Sequence, residues 1–221
     1  PGLNRRVGAP WWDRRRPKHI GERALGLARQ AFGNVDASGR IAASAGAEAV
    51  AATLLPPVEP WIGFAFGSNK VWKNWPLERF VALARELRSL GYRPVLLAGP
   101  DERAALPVLA GSAPDVDVVD MTAMMIDAPR GKLDAPLALA PSLKLLVAND
   151  CGLGHLFGAA GVPVVSLFGP TRPERWAPNA PASRIVSAQD FGGEAMTDIP
   201  LAAVVAATLD FARELGVRPA G

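Results

Sequence analysis

Residues that could do chemistry are concentrated in NDCGLGH, the segment at positions 149–155. Asp150 supplies a carboxylate and His155 an imidazole, while Gly152 has no side chain to keep a ligand away from the backbone. Cys151 could be a thiol nucleophile, but a loop cysteine without an orienting network is usually inert. The segment therefore predicts a ligand-binding turn and not a thiol catalyst.

The flanking sequence predicts how this segment is held in place. Apolar runs at residues 143–147 and 164–168 are typical of parallel strands that are covered on both faces. Residues 154–160 between them predict a short helix that ends at Gly161. The segment should then lie at the carboxyl end of a strand and the amino end of a helix, where free backbone N–H groups and the helix dipole favour phosphate or another anion.

Two other loops carry polar residues directly after predicted strands. GSNKVWKNWP follows a strand at 61–66 and contains Lys70 and Lys73, and GPDER follows a strand at 95–98 and contains Glu102. Because ligands bind at the carboxyl ends of the strands in open parallel sheets, we expect the three loops to converge there. The lysines supply positive charge for a phosphate, and the glutamate could accept from a ribose hydroxyl. Together the loops predict a nucleotide site.

The remaining pattern predicts an α/β protein. Further elements are helices at 21–32, 47–55, 77–90 and 201–215 and strands at 117–120 and 184–186. A short helix from about Asp101 should not run past Pro107, because proline breaks a helix interior. Residues 121–142 mix apolar and helix-breaking types and predict a loop with a short helix. These elements form a Rossmann-like, doubly wound, mostly parallel sheet of five or six strands.

Composition narrows the class of protein. The 221 residues are 49% apolar, which is enough for a sizeable core, and no run of about 18 apolar residues could cross a bilayer. One cysteine and two histidines exclude a disulfide framework and an ordinary structural zinc site. The missing GxGxxG and GxxxxGKS/T motifs argue against a dehydrogenase and a P-loop enzyme. We therefore expect a cytoplasmic protein without a metal site.

The amino end is strongly basic, although the net charge is only +3. Its arginines and Lys18 could contact anionic lipid headgroups, a phosphorylated acceptor or nucleic acid, or could form a solvated face. Trp11 and Trp12 beside them could be core anchors or an interfacial pair. We expect no nucleic acid as partner, because no aromatic platform or RNA motif accompanies this charge. Since the chain opens with Pro1, we expect that the start of a longer protein is missing.

Four motifs together resemble a known family. They are KxWP after the first strand, GPxE after the second, DxGxxH after the central strand and FGPTxPxxW after the next one. In this order they resemble the carboxyl-terminal domain of the ADP-heptose:lipopolysaccharide heptosyltransferases, glycosyltransferase family nine. The resemblance covers about residues 58–215 and implies a GT-B type fold with two Rossmann-like domains. It implies that residues 1–57 are a remnant of the amino-terminal acceptor domain with a linker, and that residues 58–221 form the nucleotide-sugar-binding domain.

The same resemblance implies roles for the loop residues. Lys73 would neutralise the diphosphate, Glu102 would bind the ribose, and Asp150 would hold heptose hydroxyls. Gly152 would lend a backbone N–H group, and His155 would help to shape the phosphate end.

The resemblance implies weaker assignments for three other positions. Ser68 falls where the family has a small or hydroxyl residue, and Met121 and Thr122 fall where the chain passes the adenine. Residues 123–142 depart from the family's leucine-bearing helix, which affects the last two assignments. Cys151 replaces the usual Thr or Ser and weakens hydrogen bonding at that position.

The resemblance also implies the activity. It is inverting transfer of heptose from ADP-heptose to the lipopolysaccharide inner core, without metal, with the catalytic base in the missing amino-terminal domain and none in this chain. The partners are then a nucleotide-sugar donor, a lipid-linked acceptor and the inner face of the cytoplasmic membrane. The alternative is a nucleotide-sugar-binding or interaction domain that no longer catalyses, which would bind ADP without supporting transfer in the full-length protein.

Overall fold

The computed structural model describes residues 19–33, 41–125 and 133–220. In this part of the chain, six strands form one parallel sheet in the order β3-β2-β1-β4-β5-β6. The strands are β1 (Trp61–Ala65), β2 (Arg93–Ala98), β3 (Asp117–Asp120), β4 (Leu143–Asn149), β5 (Val164–Phe168) and β6 (Ser183–Ser187). The order reverses between β1 and β4, as in doubly wound nucleotide-binding folds. This confirms the predicted fold class.

Helices cover both faces of the sheet. The α-helices of the described residues are α1 (Ile20–Phe32), α2 (Ala45–Leu54), α3 (Leu77–Ser89), α4 (Leu106–Ser112), α5 (Thr122–Met125), α6 (Asp134–Leu139), α7 (Gly152–Ala159), α8 (Pro173–Trp176) and α9 (Leu201–Glu214). One apolar core lies under α3 and α9, and a second lies under α2, α6 and α7. The central strands β1 and β5 are buried along their whole length and mostly apolar, because neither face of the sheet meets water. None of the described helices is long and apolar enough to cross a membrane.

One helix runs further than the sequence predicted. A 3-10 segment, Pro100–Ala105, leads directly into α4, which extends to Ser112, so the prediction that this helix would not run past Pro107 is wrong. Pro107 occupies the first turn of α4. Backbone N–H groups in a first turn have no partner within the helix, so the missing N–H group of the proline costs little. The proline-rich loop after β5 also contains one short helix, α8.

The segment before β1 packs against the sheet. Ala51 and Leu55 are buried in the core under α6 and α7, and the backbone N–H and hydroxyl of Ser44 donate to Asp134 at 2.9 and 2.8 Å. Residues 41–55 therefore share a core with the strands. The domain boundary between residues 57 and 58 stays a prediction. The basic amino end with its tryptophans lies outside the described residues, as does part of the segment 121–142.

Candidate functional site

A cleft of about 730 Å³ opens at the carboxyl edge of the sheet, where the strand order reverses. The loops after β1, β2 and β4 all line it, so their predicted convergence is confirmed. Of the eight predicted site residues, seven line this cleft: Ser68, Lys73, Glu102, Met121, Asp150, Gly152 and His155. Thr122 is not among the lining residues; its backbone N–H and its hydroxyl both donate to Asp120.

An ion pair occupies the end of the cleft between β1 and β4. Lys73 Nζ lies 2.6 Å from Asp150 Oδ2, with side chains that are 20% and 6% exposed. The hydroxyl of Thr171, from the loop after β5, donates to the same oxygen at 2.7 Å. Loops from three strands therefore meet at one carboxylate. Sequence reasoning did not single out this threonine, although it belongs to the FGPT motif.

A buried asparagine at the end of β4 holds the lysine-bearing loop in place. Asn149 Nδ2 donates to the carbonyl of Phe66 at 2.7 Å, and its Oδ1 accepts from the backbone N–H of Trp75 at 3.1 Å. These bonds join the two ends of the segment that contains Lys73. Sequence reasoning missed this asparagine, whose only signal was a polar residue at the end of an apolar strand.

Hydrogen bonds to the segment before α9 also hold the end of this loop. The indole N–H of Trp75 donates to the carbonyl of Ile199 at 3.0 Å, and Arg79 donates to the carbonyls of Thr197 and Ile199 at 2.7 Å. Trp75 is 1% exposed and packs edge-on against Phe80. The loop that carries the lysine is therefore attached to the core before any ligand arrives.

A second carboxylate, that of Glu102, lines the same cleft. The backbone N–H of Gly99 donates to Glu102 Oε2 at 2.9 Å. The carboxylate also lies against Gly67, where an added Cβ would collide with it, so the glycine leaves the room that this position of Glu102 needs. Burial disfavours the charged form and raises the pKa of Glu102, a shift that the Gly99 hydrogen bond partly offsets and the charge of Asp101 increases.

Cys151 and His155 lie at the beginning of α7, and neither is activated as a nucleophile or a general acid. Burial raises the pKa of the Cys151 thiol to about 11, so the thiolate is scarce at neutral pH. Burial lowers the pKa of His155, more than the charge of Asp150 raises it, and the imidazole is neutral at pH 7. The N–H groups in the first turn of α7, beginning at Gly152, are suited to an anion.

One wall of the cleft is apolar, and the sequence did not predict most of it. Beside the predicted Met121, it contains Ile41, Leu133, Pro136 and Leu156. Ile41 comes from the segment before α2, where its backbone N–H donates to the carbonyl of Ala159 at 3.3 Å. Such a wall can cover a planar base, while the polar end binds charged groups.

The amino-terminal helix reaches the rim of this cleft. His19 is the N-cap residue of α1, and its Nε2 lies 2.6 Å from the carbonyl oxygen of Ala177. Trp176, the residue before Ala177, lines the cleft. Among the described residues, no cluster of three or more His, Cys, Asp or Glu side chains could hold a metal ion. The described lining of the cleft thus includes Lys73, the carboxylates of Glu102 and Asp150, the amino end of α7 and several apolar side chains.

Comparisons with known proteins agree with this architecture. The model of glycosyltransferase family 9 (heptosyltransferase) matches residues 4–198. Lipopolysaccharide heptosyltransferase 2 of Escherichia coli (strain K12) is 30% identical over 129 residues, which are 58% of this chain and 36% of that protein. Lipopolysaccharide heptosyltransferase 1 of Pseudomonas aeruginosa is 33% identical over 118 residues, 53% of this chain and 31% of that one. The chain thus spans about a third of the length of these curated relatives.

Two solved structures show the same fold. The glycosyl transferase family 9 protein from Veillonella parvula has a TM-score of 0.73 and 21% identity, with 90% of this chain and 61% of that chain covered. The E. coli ADP-heptose lps heptosyltransferase II has a TM-score of 0.68 and 22% identity, with 89% and 62% covered. The motifs, the sheet order and the match to the family model over most of the sequence lead to one conclusion: the chain belongs to glycosyltransferase family 9, the heptosyltransferase family.

Proposed function

We propose that this chain is the donor-binding part of an inverting glycosyltransferase that transfers heptose from ADP-heptose to the inner core of lipopolysaccharide. The observation that carries the proposal is that the Lys73–Asp150 pair, Glu102 and the amino end of α7 all line one cleft. Relatives with the matching sequence are named lipopolysaccharide heptosyltransferases, which supports the choice of sugar and acceptor.

The charges in the cleft suit a sugar diphosphate. Departure of ADP leaves negative charge on the diphosphate and oxocarbenium-like charge on the sugar. Lys73 and the first N–H groups of α7 can stabilise the leaving group, and fixed donors in a partly buried site do so without reorganisation. The neutral His155 shapes this end without adding a second full charge.

The carboxylates of Asp150 and Glu102 have separate roles in this proposal. Asp150 accepts from hydroxyl groups of the heptose, and Glu102 accepts from the ribose. The apolar wall with Met121 covers the base, and Ser68 lines the cleft beside Lys73. Thr122 has no part in it, because its hydroxyl is engaged by Asp120.

The remaining requirements of the reaction are proposals as well. Lys73 and the helix amino end neutralise the diphosphate without a metal ion. A general base must deprotonate the acceptor hydroxyl, and we assign it to the acceptor-binding part of the full-length enzyme. The reaction takes place in the cytoplasm, with the lipid-linked acceptor at the inner face of the cytoplasmic membrane.

Calorimetric titration of this chain with ADP tests the proposal. Lys73→Ala removes a charge-assisted contact worth about 1.5–3 kcal/mol, so its ADP affinity should fall roughly 10- to 100-fold. Lys144→Ala is the matched control, because Lys144 is exposed and, among the described residues, its ammonium group donates to the carbonyl of Pro57 at 3.4 Å, away from the cleft lining. Equal ADP affinities of the parent chain and Lys73→Ala would contradict the proposal. Loss of ADP binding in EDTA, with recovery when Mg²⁺ is added, would contradict the proposal that no metal ion is needed.

A further inference from the structure

The carboxylate of Asp150 is held through only one of its two oxygens. Lys73 Nζ at 2.6 Å and Thr171 Oγ1 at 2.7 Å both donate to Oδ2. Among the described residues, no group donates to Oδ1, and the Asp150 side chain as a whole is 6% exposed. Because Asp150 lines the cleft, Oδ1 is the oxygen left to accept a hydrogen bond from a ligand.

The two donors on Oδ2 differ in what a bound nucleotide diphosphate does to them. Lys73 carries the positive charge that the diphosphate attracts, so donor binding divides its ammonium group between two anions. The Thr171 hydroxyl is neutral and half-buried, and its described hydrogen bond is to Asp150. It can keep the carboxylate in place while the lysine is engaged elsewhere.

The backbone around these residues makes the threonine a rigid support. Thr171 lies in the loop after β5, where it follows Gly169 and Pro170. Strand β5 pairs with β4, and β4 ends directly before Asp150. The carbonyl of Gly169 accepts from Gln189 Nε2 at 2.7 Å, so this loop is itself anchored to the segment after β6. A hydroxyl on such a loop fixes the rotation of the facing carboxylate.

We propose that Thr171 is a positioning residue that holds Asp150 with Oδ1 available to the sugar of the donor, so that it favours the sugar nucleotide over the bare nucleotide. This inference rests on the proposed function and deepens it. A threonine that only stabilised its loop would affect both ligands equally. A threonine that orients Asp150 affects the ligand that carries the sugar.

The test compares ADP with ADP-heptose by calorimetry on the 221-residue chain. Thr171→Val keeps the shape of the side chain and removes the donor. Its affinity for ADP-heptose should fall about tenfold, the scale of one hydrogen bond to a charged group, and its affinity for ADP should change less than about twofold. Thr171→Ser keeps the hydroxyl and should restore the parent ratio of the two affinities. Thr53→Val is the control, because Thr53 is exposed on α2 and its hydroxyl, within the described part of the chain, donates to the carbonyl of Val50 in the same helix.

The outcomes separate this inference from the proposed function. If the parent chain binds neither ligand, the proposed function fails, and the inference fails with it. If the parent binds both and Thr171→Val weakens both equally, or weakens neither, the positioning role alone is overturned. Thr171→Ala provides a second variant without the donor, and each variant is compared with the parent by thermal unfolding, so that a misfolded protein is not counted as a binding defect.

Discussion

The two ends of the cleft are built differently. At the polar end, Lys73, Asp150 and Thr171 form one hydrogen-bonded group, and Asn149 fastens the lysine-bearing loop beside it. At the apolar end, Ile41 and Leu133 line the cleft with side chains that are 44% and 57% exposed. These side chains can offer a ligand apolar contact but no hydrogen bond. One end is therefore organised by directional bonds and the other by apolar contact.

This difference predicts an unequal division of binding energy. The polar groups are already held near their working positions, so a ligand that binds there has little ordering to offset. The exposed apolar side chains have fewer contacts to fix their rotamers, and a ligand must immobilise them while it covers them. Substitutions at the polar end should accordingly cost more than substitutions at the apolar end.

The largest effect is expected from breaking the asparagine support. Asn149→Leu leaves the buried Phe66 carbonyl and Trp75 N–H without partners, and each unpaired group costs about 1–3 kcal/mol. The free energy of unfolding, measured in urea, should fall by about 2–4 kcal/mol. ADP affinity should fall with it, because the loop that carries Lys73 is no longer closed.

The control for this variant is Asn179→Leu, an exposed position in the loop after α8. That change should leave the unfolding midpoint and ADP affinity almost unaltered. If Asn149→Leu keeps the parent stability and the parent affinity, the polar end is not organised by this residue, and the contrast between the two ends loses its basis.

A medium effect that depends on pH is expected at Glu102. Its pKa is raised by burial, so the carboxyl group takes up a proton at a higher pH than an ordinary glutamate does. Because the ionised form accepts from the ribose, ADP affinity should decrease as the pH falls through this raised pKa. Glu102→Gln should bind ADP more weakly at neutral pH and should lose this acid-side dependence.

Stability should respond to the same group with the opposite sign. The folded state holds the proton of Glu102 more tightly than the unfolded state, so its favourable contribution is complete below the ordinary glutamate pKa and is lost as the pH rises through the raised value. Urea unfolding of Glu102→Gln should lack this decline, whereas the exposed control Glu78→Gln should keep it. Identical pH profiles for Glu102→Gln and the parent would contradict the role of this carboxylate.

The smallest effect is expected at the apolar wall. Ile41→Ala removes part of a half-exposed side chain, worth about 0.5–1 kcal/mol of contact with a base, so ADP affinity should fall only about two- to fivefold. Thermal stability should hardly change. Val58→Ala, at a position that is 89% exposed, is the control for a surface valine away from the cleft. A loss at Ile41 as large as that at Lys73 would reverse the comparison.

Sequence patterns predicted the polar end better than the apolar end. Lys73, Glu102 and Asp150 each follow an apolar strand within a short motif, and parallel strands end at one edge, so their convergence followed from order alone. Residues 121–142 had no clear period, and the apolar wall draws on them and on Ile41, which is distant in sequence. An apolar residue has no signature that distinguishes a cleft wall from a core.

The amino-acid sequence alone was sufficient for the α/β class, the strand positions and the three cleft loops, because buried strands and glycine-rich turns are local patterns. Tertiary packing decided which donors reach Asp150: Thr171 is 21 residues away, and Lys73 is 77 residues away. It also decided that α4 continues through Pro107, since the preceding 3-10 turn places that proline in a first helical turn. These contacts depend on which strands are neighbours in the sheet, and on the bends between elements, which no short sequence window contains.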